Sequence, residues 1–471
     1  MDSRVDAQKY RLAIGLLAAR WQEFDELVRA TALPRRSAEE LLAELGDDLE
    51  REGSAVRLRP GVAEGYRGTA SGPATASVAD PAEVLARIER HLAEVPPPLP
   101  ALDHVQATAD TVLRRATWLD EHYDLGRARL VFVGDHDLTS LAVHELRPDA
   151  DLAVVDVDDR VLAHVDRRGG GGILTVHADL RFGLPRAVAG RADVVFSDPP
   201  YTPEGMTLFA ARAIECLADP PAGRVVLAYG YSARHPTLGR QTQRALLGLG
   251  LTFEAILPGF HRYHGAQAIG SAADLYVCHP TSRARKKSAP ERAIYTHGPA
   301  SVESAAGKTA EAARTALVEL AGQGGRHVTT AGPDYSKPIT AEHDTALALD
   351  LGEDPGPWLV RVLLAASAAR VAVLLPNAHP DLGDAASQSA LKALLAPKYR
   401  LRLLRSTPDA THAVVLAERR EDAGDSAAHA VWTRAHARLG NVWPQAPAEL
   451  ADLRLIDLPR HRIVDVLRLL D

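Results

Sequence analysis

Three short runs of apolar, mostly β-branched residues each stop at a cluster of polar residues, and this pattern constrains the chain more than any other. The runs are Leu130-Val-Phe-Val-Gly134-Asp135-His136-Asp137, Leu152-Ala-Val-Val-Asp156-Val-Asp158 and Val194-Val-Phe-Ser-Asp198-Pro199-Pro200-Tyr201. Segments this apolar have no solvent face, so they read as strands of a parallel sheet covered on both sides. In such sheets ligands bind beyond the carboxyl ends of the strands, which is where the acidic residues fall.

From Arg129 onward strand and helix patterns alternate. They predict seven strands, over 130–133, 152–157, 173–176, 193–197, 224–230, 252–258 and 273–278. The fold class is α/β, with a seven-stranded Rossmann-like transferase domain over 80–281. Residues 1–70 predict three short helices, the third over Ala38–Arg51, then a strand and turn at Val56–Gly61, a winged-helix-like unit. Its third helix is acidic (Glu39, Glu40, Glu44, Asp47, Asp48, Glu50), which favours an interaction or dimerisation role over DNA binding. Small residues and prolines at 68–80 predict a flexible connection, and the basic stretch 282–292 a linker. Residues 293–471 alternate again, with a long helix over Val302–Ala321 and five strands. They read as a smaller, additional α/β domain without a catalytic constellation. Asp350-Leu-Gly-Glu-Asp-Pro-Gly superficially suggests a nucleotide loop, but one glycine-containing loop carries little.

Composition narrows the class. A chain of 471 residues exceeds one ordinary core. The formal charge of −7 argues against a surface that coats nucleic acid. No apolar run approaches the ~20 residues needed to span a bilayer. The amino terminus does not read as a signal peptide, so a cytoplasmic location is expected, with no membrane partner. Cys216 and Cys278 belong to no C-x-x-C pair and read as core thiols. No His or Cys spacing is diagnostic of a metal.

The acidic strand ends carry the chemistry. A carboxylate ending the second strand can accept both hydroxyls of a ribose. Asp156 is placed for this, with Asp158 as the fallback. The third strand ends at His177-Ala-Asp179-Leu180-Arg181, where Asp179 can accept from an adenine amino group and Leu180 completes the nucleoside set. Pro199 and Pro200 remove two backbone donors and fix an extended turn. That turn presents Asp198, carbonyl groups and the Tyr201 ring to an amine nucleophile. Methyltransferases acting on exocyclic nitrogens use a similar Asp/Asn-Pro-Pro-Tyr. The motif therefore points to alkyl transfer to nitrogen. In the first loop, Gly134 is followed by two carboxylates, Asp135 and Asp137, where a methyl donor's amino-acid carboxylate would lie. Like charges ~4 Å apart at an effective dielectric near 20 cost ~4 kcal/mol. The same carboxylates favour a donor ending only in an ammonium, namely decarboxylated S-adenosylmethionine. One of the two can instead cap the helix that starts near Leu138.

Gly134-Asp135-His136-Asp137-Leu-Thr-Ser140, Val155-Asp156-Val157-Asp158, Asp179-Leu-Arg181 and Asp198-Pro199-Pro200 together resemble the branched-chain polyamine synthases, or N(4)-bis(aminopropyl)spermidine synthases, over roughly residues 5–280. The resemblance implies a winged-helix-like domain before a Rossmann-like one. It implies successive aminopropyl transfer from decarboxylated S-adenosylmethionine, a co-substrate and not a permanently bound cofactor, to the internal amine of spermidine. Carried over, Asp135 and Asp137 hold donor and acceptor, and the Asp-Pro-Pro turn contributes Asp198. The family loop usually reads Gly-Asp-Asp-Asp. Here His136 takes the middle place, which removes a charge and adds an imidazole that could serve as a base. Asp137 or Asp135 would take the acceptor's proton, with Tyr263 and His264 flanking the acceptor. The resemblance stops before residue 285. Two other readings are an S-adenosylmethionine-dependent N-methyltransferase, favoured by Tyr201, and a winged-helix regulator with a degenerate transferase domain. A homodimer is the default expectation.

Overall fold

A computed structural model describes residues 5–70, 80–265, 271–284, 293–296, 311–342, 345–352, 358–420 and 426–470. The connection at 71–79, most of the basic linker (285–292), the first half of the expected long helix (302–310) and part of the 350–356 loop lie outside them.

The apolar runs form the middle of one seven-stranded sheet. Its strands are β1 (Arg129–Val133), β2 (Asp151–Asp156), β3 (Ile173–His177), β4 (Val194–Ser197), β5 (Arg224–Tyr229), β6 (Leu251–Arg262) and β7 (Ala272–Pro280). Their spatial order is β3-β2-β1-β4-β5-β7-β6. The first five are parallel, and β7 is antiparallel to both its neighbours. Leu130, Val131, Phe132 and Val133 are fully buried, as a strand covered on both faces requires. The strand order reverses between β1 and β4, which opens a crevice at their carboxyl ends.

Helices α1 (Ala109–His122), α2 (Thr139–Leu146), α3 (Asp159–Gly169), α4 (Pro203–Cys216) and α5 (Pro236–Gly248) cover the sheet. Caps fix several starts. Thr108 accepts from Thr111 N–H (3.3 Å), Asp158 from Arg160 N–H (2.9 Å) and Thr202 from Gly205 N–H (2.9 Å). Cys216 and Cys278 are buried in α4 and β7. Strand β6 continues past its expected end at Pro258. It lies at the sheet edge, where a proline costs no ladder bond, and Gly259 adopts φ +60° beside a shift in register with β7. His261 and Arg262 therefore belong to the strand and not to a hairpin loop.

Residues 5–70 place helices Ala7–Ala19, Phe24–Thr31 and Arg35–Leu45 against a three-stranded antiparallel sheet of Gln22–Glu23, Ala55–Leu58 and Leu49–Glu52. The third helix stops at Leu45, short of the expected Arg51, because Gly46 turns the chain at φ +46°. Pro60–Ala70 is helical where a turn was expected.

The carboxyl-terminal part builds a five-stranded sheet in the order Val328–Ala331, Ala346–Asp350, Arg370–Pro376, His412–Arg419, Tyr399–Leu404. All seven residues of its helix Leu359–Ala365 are buried. One hydrophobic cluster runs from Val131 and Val225 through Leu359 to Val371 and Trp432, so both large sheets share a core. Among the described residues no helix is long and apolar enough to cross a membrane.

Candidate active site

A cavity of about 490 Å³ sits at the carboxyl ends of β1 to β4, within the size range of small-molecule sites. Gly134, Asp135, His136, Asp137, Asp156, Asp179, Leu180, Asp198, Pro199, Pro200, Tyr201 and Tyr263 all line it. Two expected residues do not. Asp158 turns back to cap α3 and pairs with Arg160 (2.6 Å), because its carboxylate lies nearest the orphan N–H groups of the helix start. His264 is exposed, beyond the end of β6, and its backbone N–H donates to Gln106 O (2.8 Å).

One half of the cavity suits a nucleoside. Gly134 adopts φ +74° after β1, a turn that a side chain would strain. Asp156 accepts from Asp135 N–H through Oδ2 (2.9 Å) and from Asp158 N–H through Oδ1 (2.8 Å). Each oxygen keeps a further acceptor position, enough for a pair of vicinal hydroxyls. Burial pushes its pKa up to about 6 against those two backbone bonds. Asp179 is differently placed from the expectation. Its carboxylate accepts from Arg181 N–H (2.9 Å), Nε (3.0 Å) and Nη2 (2.6 Å) and from Trp358 Nε1 (2.8 Å). Those four bonds fill the acceptor positions of a carboxylate, so the side chain holds its own loop and leaves none for an adenine amino group. Burial would raise its pKa, but Arg181 and Trp358 outweigh that and keep it low.

The other half is organised by Arg115 of α1, which from the sequence could either reach a site from above or lie on a solvated helix face. Its side chain is 0% exposed. Nη1 donates to Asp137 Oδ2 (2.8 Å), Nη2 to Asp198 Oδ2 (2.6 Å) and Nε to His261 Nδ1 (3.0 Å). Tyr263 Oη donates to Asp198 Oδ2 (2.7 Å) and Tyr201 Oη to Asp198 Oδ1 (3.1 Å). Asp137 Oδ1 also accepts from Ala107 N–H (2.6 Å) and Gln106 Nε2 (3.3 Å), which leaves one acceptor position on Oδ2 beside Arg115. Arg115 had one signal in the sequence. It falls on the buried stripe Val112, Arg115, Ala116, Leu119 of α1, where a charge demands buried partners.

Three acidic or basic roles change as a result. Asp135 accepts from the Ser140 N–H (3.2 Å) and hydroxyl, the capping role allowed for one of the two loop carboxylates. Burial pushes its pKa up to about 8, so at neutral pH it is mostly protonated and no base. His136 stacks on His104 at 4.3 Å, and burial, then His104, lowers its pKa to about 3. The imidazole thus stays neutral and is too weak a base for an amine. Asp198 is the remaining carboxylate, at 17% exposure. Burial pushes its pKa up to about 6; Arg115 opposes the rise and Asp137 adds to it.

A segment beyond the sheet closes the cavity. Ile294, Tyr295 and Thr296 line it, held by Thr202 Oγ1 on Ile294 O (2.7 Å) and by Thr296 N–H on Asp103 Oδ2 (2.6 Å). No local pattern in the sequence marked these residues.

Residues 83–310 match the family described as the branched-chain polyamine synthase A C-terminal domain. An uncharacterized protein of Methanocaldococcus jannaschii is 36% identical over 174 residues, 36% of this chain and 43% of that protein. The N(4)-bis(aminopropyl)spermidine synthase of Thermococcus kodakarensis is 28% identical over 188 residues, 38% of this chain and 53% of that enzyme. This chain spans about half the length of the curated relatives it matches. The branched-chain polyamine synthase of Thermus thermophilus, solved with N4-aminopropylspermidine and 5'-methylthioadenosine, is 21% identical; the match covers 60% of this chain and 90% of that one, with a TM-score of 0.40.

Proposed function

We propose that this chain, whose central region resembles the branched-chain polyamine synthases, is an aminopropyltransferase. It would move the aminopropyl group of decarboxylated S-adenosylmethionine to an amine acceptor, a polyamine such as spermidine, and release methylthioadenosine. The observation that carries this reading is one cavity holding Asp156, with two free acceptor positions, beside Asp198, a half-buried carboxylate framed by two tyrosine hydroxyls.

The acceptor nitrogen attacks the propyl carbon bonded to the sulfonium. The carbon–sulfur bond breaks with its electron pair going to sulfur, which leaves as a neutral thioether, so no oxyanion needs stabilising. The new ammonium passes a proton to a carboxylate. Asp198 suits this step, since a pKa of about 6 leaves it ionised at neutral pH yet basic enough to bind a proton. The Tyr201 and Tyr263 hydroxyls orient its oxygens. Their rings suit a cationic polyamine chain. Orientation of the two reactants supplies much of the rate. The charge balance suits a donor ending in an ammonium. Arg115 offsets one of the carboxylates Asp137, Asp156 and Asp198, and Asp135 is mostly neutral.

The test is a mass-spectrometric end-point assay with S-adenosylmethionine and its decarboxylated form, each over a pool of polyamines. Methylthioadenosine and an aminopropylated acceptor are expected with the decarboxylated donor alone. S-adenosylhomocysteine from the intact donor, with no turnover of the other, would sink the reading and promote the N-methyltransferase. That alternative draws on Tyr201 after Asp-Pro-Pro and on Arg115, which softens the repulsion a donor carboxylate would meet.

The same assay run against pH has a defined sign. The base must be unprotonated, so the rate constant at saturating substrates is expected to fall about tenfold per unit as pH drops below about 6. A flat profile between pH 5 and 8 would remove Asp198 as the base.

A further inference from the structure

Both loops that frame the nucleoside half are gripped from the carboxyl-terminal part of the chain, beyond the region of family similarity. Trp358, at the start of helix Leu359–Ala365, donates its indole N–H to Asp179 Oδ2 (2.8 Å) in the loop after β3. One turn on, Arg361 Nη2 donates to Asp159 Oδ1 (2.7 Å), the first residue of α3, just after the loop that follows β2. Arg361 Nη1 is in turn fixed by the carbonyls of Ile456 (3.0 Å) and Leu458 (2.6 Å). The spacing of three puts both side chains on one face of the helix. Trp358 and Arg361 are almost fully buried, at 2% and 1% exposure.

The geometry points to Trp358 as a positioning residue for the nucleoside, acting through Asp179, and to the carboxyl-terminal domain as part of the donor site. This rests on the reading of the cavity proposed above. Trp358 does not line the cavity, whereas Asp179 and its neighbour Leu180 do. Arg181 comes from the same loop as Asp179, so its bonds to that carboxylate fold the loop onto itself, and its guanidinium lies over the Trp358 ring (6.0 Å to the centroid). Trp358 is the partner that anchors the carboxylate to a rigid, buried helix. Without its N–H, an ionised buried carboxylate has an empty acceptor position. The Asp179 side chain is then free to turn, while Arg212 Nε on Leu180 O (2.9 Å) and Ser336 Oγ on Phe182 O (3.3 Å) still hold the backbone of the loop. Nucleoside affinity suffers from that freedom, while the reacting atoms, held by Arg115, Asp198 and Tyr263, are untouched.

The experiment titrates 5'-methylthioadenosine into the full chain and its W358F variant by calorimetry, with kinetics alongside. Loss of one hydrogen bond to a charged group is expected to raise Kd about tenfold. KM for the donor should rise by a similar factor, with kcat changing less than about threefold. Wild-type tryptophan emission should also shift on saturation with the nucleoside, and W358F should lack that shift. Trp21, Trp118, Trp432 and Trp443 do not line the cavity and none is bonded to Asp179. A W358F Kd within twofold of wild type would overturn the inference and leave the function standing. Should W358F not fold, the wild-type emission decides: no shift at saturation overturns the inference. Failure of the wild type itself to bind the nucleoside would instead strike the proposed function, and the inference with it.

Discussion

Replacing Arg115 with alanine is expected to cost about 3 kcal/mol of stability, because it strands one buried and one half-buried carboxylate that now share one cation. Asp137 and Asp198 lie 2.8 and 2.6 Å from that guanidinium, and at 7% and 17% exposure they have little water to take its place. Urea unfolding would measure the loss. Adding Asp137→Asn to Arg115→Ala should recover part of it, since one of the stranded charges is removed. A loss under about 1 kcal/mol would mean that Asp137 and Asp198 protonate or find solvent once Arg115 is gone. Turnover should disappear along with the pairing. Arg115→Lys is expected to recover stability better than turnover, because a single ammonium cannot bridge two carboxylates and His261 as the planar guanidinium does.

The second large effect concerns the base. Asp198→Asn is expected to lower kcat by about 10²–10⁴-fold, the usual contribution of a positioned proton acceptor, with little change in methylthioadenosine affinity. Asp137→Asn should cost less in kcat. Asp137 already accepts from Ala107, Gln106 and Arg115, so its loss acts chiefly through the position of Arg115. Stopped-flow turnover and calorimetric nucleoside binding on both variants separate the two. A larger loss in the Asp137 variant would return the proton to that residue and make Asp198 the structural partner.

The strands were legible in the sequence, and the partners of the acids at their ends were not. Leu130–Val133 and Val194–Ser197 announce themselves because a strand buried on both faces tolerates nothing but apolar and small residues. Boundaries failed where a local breaker met a tolerant setting. Pro258 ends nothing because β6 is an edge strand, and Gly46 ended a helix that the acidic pattern carried on to Arg51. The candidate site divides the same way. Most of the residues expected to meet at the strand ends do line one cavity. What each does there depends on partners distant in the chain. Arg115 commits Asp137 from 22 residues away and Asp198 from 83. Trp358 commits Asp179 from 179 residues away. His136 was expected to titrate because imidazole does so in water, but its pKa falls to about 3 under burial. No periodicity or motif encodes such pairings.

Helix Leu359–Ala365 has no side that water would accept, since Leu359, Val360, Val362, Leu363 and Leu364 are each at most 3% exposed. The match to the polyamine synthase family ends at residue 310, yet this later helix belongs to the hydrophobic cluster that both large sheets share. The unit that is recognisable and the unit that can stand alone are therefore different lengths of chain. A lineage carrying this protein cannot shed the carboxyl-terminal part as it might shed a tethered module. Losing that part would expose apolar side chains that the shared cluster now buries, and would remove the Trp358 bond to Asp179. Whatever first brought the two parts together, packing now obliges them to be inherited, expressed and altered as one object.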